Sequence, residues 1–274
     1  MIKRIYLEIT DACNLNCPFC TNEKGHSFLS FAEIERYIQE IKEITPYIYL
    51  HVLGEPLLHP DFSRILNLLD KEAMQLQLVT NGTLLGKYPD LLRHSCLRKL
   101  AISLHSVNDL KVANDYFETI DQLIEAERNC ALELRFYNPA QLKPQLAAYL
   151  AHLKAKYPPK ETTKSGSLLI KEKTYLYFAE FFRWPMISDP FISDKGQCLG
   201  GKNMLAILHN GDVTLCCLDP KGHNALGNLK EKSLKQILAS DLYQNYLKEL
   251  KENHLIFKLC QNCSYRQRFD GKNN

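Results

Sequence analysis

Cys13-Asn14-Leu15-Asn16-Cys17-Pro18-Phe19-Cys20 decides how the rest of this chain is read. Its spacing is C-x3-C-x2-C, and it follows Arg4 to Thr10, which reads as a β-strand. Three thiolates can hold three irons of a cubane cluster, whereas a closed four-iron site takes four Cys. Three therefore leave one iron open for a ligand. Spacing alone also allows a structural zinc site with His26 as the fourth ligand.

Downstream of the cysteine loop, which runs from Asp11 to Leu29, the chain alternates strand and helix patterns. Ser30 with Glu33 forms a capping box before Phe31, Ile34, Ile38 and Ile41, an apolar face at helical spacing. Tyr47 to Leu53 reads as a buried strand, and Phe62, Ile65, Leu66 and Leu69 as a second helix. Strands are predicted at Gln75 to Thr80 and Lys99 to Leu104, with a short helix near Leu84 to Leu92 between them. A helix over Tyr116 to Asn129, a strand over Ala131 to Tyr137 and helical spacing at Leu142, Leu146, Tyr149 and Leu153 follow. Strands separated by helices indicate parallel βαβ units. The expected fold is α/β, a partial (β/α)6 barrel over residues 1–166 rather than a complete eightfold one. The loop signal at Tyr157 to Gly166 ends it.

Residues 167–197 read as a bridging segment, with a strand pair in Leu168 to Phe178 and irregular chain around Trp184-Pro185 and Asp189-Pro190. Residues 198–274 read as a second, small domain of β-hairpin plus helix. Leu205 to His209 and Val213 to Cys217 flank Asn210-Gly211, a strong hairpin signal. Ser233 with Gln236 can cap a helix bearing Leu234, Ile237 and Leu238.

Composition narrows the class. In 274 residues, 45% are hydrophobic and 24% charged, which excludes disordered, collagen-like and low-complexity chains. A net charge of +3 is too small to predict a nucleic-acid duplex or a membrane as partner. No apolar run approaches the roughly 18 residues of a membrane span, and the N-terminal residues lack a signal-peptide pattern. A cytoplasmic protein is expected. There, ten cysteines in clusters point to metal or redox chemistry rather than to disulfides. Cys96 and Cys130 stand apart among apolar residues and read as core cysteines.

At the cysteine loop the sequence resembles the radical S-adenosylmethionine (SAM) superfamily. Leu53-Gly54-Glu55-Pro56 stands where that family carries Gly-Gly-Glu-Pro, with Leu53 in place of the first Gly. Thr80-Asn81-Gly82-Thr83-Leu84-Leu85 matches a common stretch after the third strand. Ile102-Ser103-Leu104-His105 stands where many members carry Ser-Leu-Asp, with His105 in place of the Asp. The resemblance implies that Cys13, Cys17 and Cys20 hold a [4Fe–4S] cluster and that SAM binds its open iron. It further implies that Glu55 partners the SAM amino group, and that Phe19, Gly54, Asn81, Ser103 and His105 contact the cofactor. The implied chemistry is one-electron cleavage of SAM to a 5′-deoxyadenosyl radical that takes a hydrogen atom from a substrate. A flavodoxin- or ferredoxin-type donor would supply the electron.

The C-terminal cysteines are similar to the twitch domain, the shortened SPASM extension of this family. Gly211 stands five residues before Cys216, and Cys198, Cys216, Cys260 and Cys263 are the implied ligands of a second, auxiliary [4Fe–4S] cluster. The Gly-x4-Cys spacing favours Cys216 over Cys217, and Phe269 stands where a full SPASM domain carries another Cys. A zinc ion on the same four thiolates is the alternative.

The first strand begins near Arg4, which leaves no room for an N-terminal peptide-recognition module. A small substrate is therefore expected. Short relatives with a twitch domain include aminocyclitol dehydrogenases and a lyase that frees queuine from its nucleoside. Both act on polyhydroxylated rings, and the expected reaction is of the lyase or alcohol-dehydrogenase type. Arg135 and Tyr137 are the foremost substrate-contact candidates, with Asn138, Arg183 and Trp184 behind them. Peptide or protein modification is the competing enzymatic reading, and a non-enzymatic metal-binding protein the competing class.

Overall fold

The computed structural model describes residues 2–21, 25–164 and 166–269. Parts of the predicted cysteine loop, of the loop at Tyr157 to Gly166 and of the C-terminal tail lie outside the described residues. In chain order the strands are β1 (Arg4–Leu7), β2 (Tyr47–Tyr49), β3 (Gln75–Thr80), β4 (Leu97–Ser103), β5 (Ala131–Tyr137), β6 (Glu161–Thr162), β7 (Leu168–Lys171), β8 (Thr174–Ala179), β9 (Met204–Ile207), β10 (Asp212–Thr214) and β11 (Gly227–Asn228). The helices are α1 (Phe31–Lys42), α2 (Phe62–Lys71), α3 (Asn114–Glu125), α4 (Pro144–Lys156), α5 (Leu234–Leu238), α6 (Asp241–Lys251) and α7 (Lys258–Asn262). They group into two units: residues up to Gly54 together with those from Phe182 onward, and Glu55–Phe181.

In the first unit the strand order is β11-β10-β9-β1-β2. Ile5 pairs in parallel with Ile48 on one side and with Leu205 on the other. β10 and β11 then return antiparallel. Ile5, Leu7 and Ile9 are fully buried, as period-two alternation requires of one sheet face. α1 starts as predicted: Ser30 Oγ accepts from the Glu33 backbone and Glu33 Oε2 from the Ser30 backbone. Its buried stripe is Ile34, Tyr37, Ile38 and Ile41, so Tyr37 joins the predicted face while Phe31 is only half-buried. The Ser233–Gln236 capping box opens α5 in the same way. The Asn210-Gly211 hairpin forms between β9 and β10, with Gly211 at φ +95°.

In the second unit β3, β4, β5 and β8 run parallel in that order, and β7 and β6 add antiparallel at the edge. One face of this sheet carries Leu76, Leu78, Leu100, Ile102, Leu132, Leu134, Phe136 and Leu176, all fully buried. Parallel strands covered on both faces read as continuous apolar runs. These strands do not. The alternate positions carry Gln75, Gln77, Lys99, Ser103, Glu133, Arg135, Tyr137, Tyr175 and Tyr177, with Val79, Ala101, Ala131 and Ala179 among them, so the second face is mainly polar and charged.

Three expectations change. The short helix near Leu84 to Leu92 is two separate 3-10 turns, Leu85–Lys87 and Leu91–Arg93, because Pro89 cannot continue a helix and Gly86 weakens one, although the leucines keep helical spacing. The Tyr47 to Leu53 strand is paired only to Tyr49. The strand pair expected in Leu168 to Phe178 forms as β7 and β8, but it joins the second unit's sheet, where β8 pairs in parallel with β5 from Leu132↔Thr174 to Tyr137↔Ala179.

Candidate active site

The cysteine loop is rooted by short-range polar contacts in the first unit. Thr10 Oγ1 donates to Ser27 O (2.7 Å) and accepts from Ala12 N (3.0 Å). Asp11 Oδ1 accepts from Ser27 N (2.7 Å). Leu15 N donates to Cys13 Sγ (3.5 Å), and a turn from Cys17 O to Cys20 N (3.0 Å) carries the half-buried Phe19. Cys13, Cys17 and Cys20 line one cavity of about 120 Å³ together with Leu15, Asn16, Val52, Leu53, Gly54 and Trp184. Gly54 has φ +72°, and a Cβ there would stand 2.3 Å from Thr10 O. The second Gly of the family motif is thus the one the backbone needs. Leu53 is accommodated, its N–H donating to Glu8 Oε1 (2.9 Å). Three soft sulfur donors on one small cavity fit an iron–sulfur cluster.

Glu8 itself is buried, and its Oε2 accepts from His209 N (3.2 Å) and pairs with His209 Nδ1 (2.8 Å). The carboxylate holds the His209 imidazole above its ordinary pKa. Nothing in the sequence separates this Glu from the other strand charges, and its partner is remote in the chain.

Glu55 lies in the second unit and is 2% exposed. Its Oε1 accepts from Thr80 Oγ1 (2.7 Å) and Leu57 N (3.2 Å), and its Oε2 from Asn81 N (2.7 Å). Burial pushes its carboxyl up to about 7 against those three hydrogen bonds. All three donors are neutral, so the carboxylate is oriented but not charge-balanced. A buried carboxylate of this kind fits a cationic ligand such as an amino group. Asn81 is also buried; its side chain accepts from Thr83 N (3.0 Å) and its carbonyl from Tyr116 Oη (3.0 Å).

Ser103 ends β4, with Arg135 as its register partner on β5. Glu133 accepts from Arg135 Nε (2.7 Å) and from Lys99 Nζ, giving a Lys–Glu–Arg cluster on the polar face. His105 is buried and stacks on Tyr137, ring centroids 4.1 Å apart and planes 12° apart, with Phe181 edge-on. Burial, and the Arg135 charge to a lesser degree, push its imidazole down to about 4. His105 is therefore neutral at physiological pH. Of the lesser candidates, Arg183 is paired with Asp189, and Trp184 lines the cysteine cavity instead of the polar face.

The C-terminal cysteines belong to the first unit. Burial raises the thiols of Cys198, Cys216, Cys260 and Cys263 above their ordinary range. Mutual repulsion adds to this: Cys216 feels its neighbour Cys217 and then Cys198 and Cys260, and Cys260 feels Cys198 and Cys263. Buried thiolates that repel one another fit a multivalent cationic centre. Cys198 Sγ accepts from Gly200 N (3.3 Å) and Cys260 Sγ from Asn224 Nδ2 (3.3 Å). Cys217 packs instead against the cluster of Tyr6, Val52, Ala206 and Leu208, with its thiol pushed up to about 11 by burial. Among the described residues no group of three or more His, Cys, Asp or Glu is arranged to hold a single metal ion. A cubane spreads its thiolates over four separate irons, a wider arrangement than one ion takes. Cys96 and Cys130 are buried core residues; Cys96 Sγ reaches Leu66 O at 3.8 Å.

Comparison with known proteins finds two domains in the chain. Residues 7–133 match the Radical SAM superfamily, and residues 198–264 match the SPASM iron–sulfur cluster-binding domain. The chain thus carries a radical SAM domain and a SPASM-type domain, which together imply SAM, a [4Fe–4S] cluster and an auxiliary iron–sulfur cluster. It is 33% identical over 112 residues to a probable GTP 3′,8-cyclase of Methanococcus maripaludis, covering 39% of this chain and 38% of that protein. It is 36% identical over 93 residues to the tungsten-containing aldehyde ferredoxin oxidoreductase cofactor-modifying protein of Pyrococcus furiosus, covering 31% and 25%. The matched part is thus well under half of either relative. Among solved structures, BtrN in complex with AdoMet and 2-DOIA has a TM-score of 0.56 at 17% identity, over 96% of this chain and 93% of that one. Streptococcus suis SuiB bound to precursor peptide SuiA has a TM-score of 0.63 at 17% identity, over 97% and 72%. At such identities the likeness is one of fold. Among the described residues no helix is long and apolar enough to cross a membrane.

Proposed function

We propose that this chain is a radical SAM enzyme that abstracts hydrogen from a small polyhydroxylated, nucleoside- or sugar-like substrate, as a lyase or an alcohol dehydrogenase. The observation that carries the substrate class is the polar face of the second unit's parallel sheet. Arg135 and Lys99 share the Glu133 carboxylate there, which leaves the cluster with a net positive charge and spare N–H donors. Tyr137 and Tyr177 stand on the same strand faces. Such a surface binds hydroxyls, ring oxygens or an anionic substituent, and an aromatic ring can cover a sugar or base.

Roles follow residue by residue. Cys13, Cys17 and Cys20 ligate one cluster, and Cys198, Cys216, Cys260 and Cys263 the auxiliary one. Glu55 accepts from the SAM amino group, with Gly54 and Phe19 shaping the pocket around the cofactor. Asn81, Ser103 and neutral His105 contact its nucleoside end, and Arg135 and Tyr137 hold the substrate. The bound cluster and SAM supply the 5′-deoxyadenosyl radical. The electron comes from a flavodoxin- or ferredoxin-type donor in the cytoplasm, the reducing compartment that clustered thiols suit.

The test is deuterium transfer. Anaerobically reconstituted protein is given SAM, dithionite and panels of deuterated nucleosides, sugars, aminocyclitols and peptides. Label in 5′-deoxyadenosine from a nucleoside, sugar or aminocyclitol is the expected result. Label from a peptide alone would replace this reading with peptide modification.

A further inference from the structure

We propose that the side-chain amide of Asn224, whose backbone N–H is held by Asp219, sets the reduction potential of the auxiliary cluster through its hydrogen bond to Cys260 Sγ. Asn224 Nδ2 lies 3.3 Å from that sulfur, and the residue is 2% exposed. A ligating thiolate carries no proton and can only accept, so the amide N–H faces it.

The amide is built into a closed loop. Asp219 N donates to Cys216 O (3.3 Å), and Gly222 N to Asp219 O (3.3 Å). Gly222 turns the chain at φ +69°. The fully buried Asp219 carboxylate then accepts from both His223 N (2.9 Å) and Asn224 N (2.7 Å). The loop thus starts at the carbonyl of one predicted ligand and ends at the sulfur of another. An Asn placed only for packing needs neither feature.

The electrostatic consequence has a definite sign. Reduction adds one negative charge to the cluster and its thiolates. An N–H dipole directed at a sulfur stabilises the reduced form more than the oxidised one, and burial limits screening by water. Asn224 therefore raises the potential and makes the cluster a better electron acceptor. This inference rests on the assignment of a cluster to Cys198, Cys216, Cys260 and Cys263, and is independent of the substrate.

The experiment is a potentiometric titration followed by electron paramagnetic resonance. It uses the full chain carrying Cys13→Ala, Cys17→Ala and Cys20→Ala, so that the auxiliary cluster alone reports. Iron content is measured on the same samples. Asn224→Ala should disfavour reduction about three- to tenfold, a shift of roughly 28–59 mV to more negative potential at 59 mV per decade for one electron. Asn224→Asp keeps the side-chain shape and should shift further in the same direction, because a carboxylate faces the sulfur. Unchanged midpoints in variants that retain about four irons would overturn the proposal. Loss of the irons from both variants would overturn it as well, since Asn224 would then be a structural residue.

Discussion

Glu8 Oε2 stands 2.8 Å from Nδ1 of His209, a residue 201 positions further along the chain. The same carboxylate holds Leu53 N, next to the glycine that closes the cysteine cavity. β1, the end of β9 and the family motif are thereby tied at one buried carboxylate. Glu8→Gln should lower stability by about 1.5–3 kcal/mol, the range for a hydrogen bond to a charged group. The pH dependence follows from the raised His209 pKa. The ion pair stabilises fully below the unfolded imidazole value of 6.5 and is lost as pH rises through the higher folded value. Urea melts between pH 6 and pH 9 should show this slope in the parent chain and a weaker one in Glu8→Gln.

Glu55 has a linkage of the same sign, but burial and not an ion pair is its cause. Its folded carboxyl sits at about 7 against an ordinary 4.5, so between those values the folded chain binds more protons than the unfolded one. Its contribution to stability therefore declines as pH rises from about 4.5 to about 7. A cationic amino group favours the ionised carboxylate. SAM should accordingly bind more tightly as pH rises toward 7, releasing protons in calorimetry. Glu55→Gln should weaken binding by about 1–3 kcal/mol and remove that proton release.

Gly54 and Leu53 should respond oppositely to substitution. Gly54→Ala would place a Cβ 2.3 Å from Thr10 O in a left-handed backbone, at a cost of about 1–3 kcal/mol. Iron bound by Cys13, Cys17 and Cys20 should fall with it. Leu53→Gly should keep its iron, because the Leu53 N–H to Glu8 survives the change. Iron analysis and thermal melts of the two variants check this pair.

The helix starts were legible because their signals are local: Ser30 with Glu33, and Ser233 with Gln236, need only three residues to announce a cap. The cysteine spacings were legible for the same reason. Glu8 with His209 was not, since a strand charge carries no mark of a partner supplied by remote chain. The place of β8 was hidden too. Its alternation, Tyr175, Tyr177 and Ala179 against Leu176 and Phe178, suits an antiparallel pair as well as the parallel partner that β5 provides. Trp184 looked like a substrate aromatic next to a proline, and only tertiary structure brings it to the cysteine cavity.

Replacing Cys260 and Cys263 by Ala should leave about four irons per chain, since three N-terminal thiolates still hold one cluster. SAM cleavage should persist in that variant. Full turnover of substrate would mark a lyase with a structural auxiliary cluster. SAM cleavage without oxidised product would mark a dehydrogenase that passes its second electron to that cluster.

The most direct measurement is 5′-deoxyadenosine formed by anaerobically reconstituted, reduced protein, compared with the variant carrying Cys13→Ala, Cys17→Ala and Cys20→Ala. The parent chain should bind about eight irons and cleave SAM, while the variant keeps about four and makes no 5′-deoxyadenosine. Equal SAM cleavage by both proteins, or none by a parent chain holding both clusters, would contradict the account.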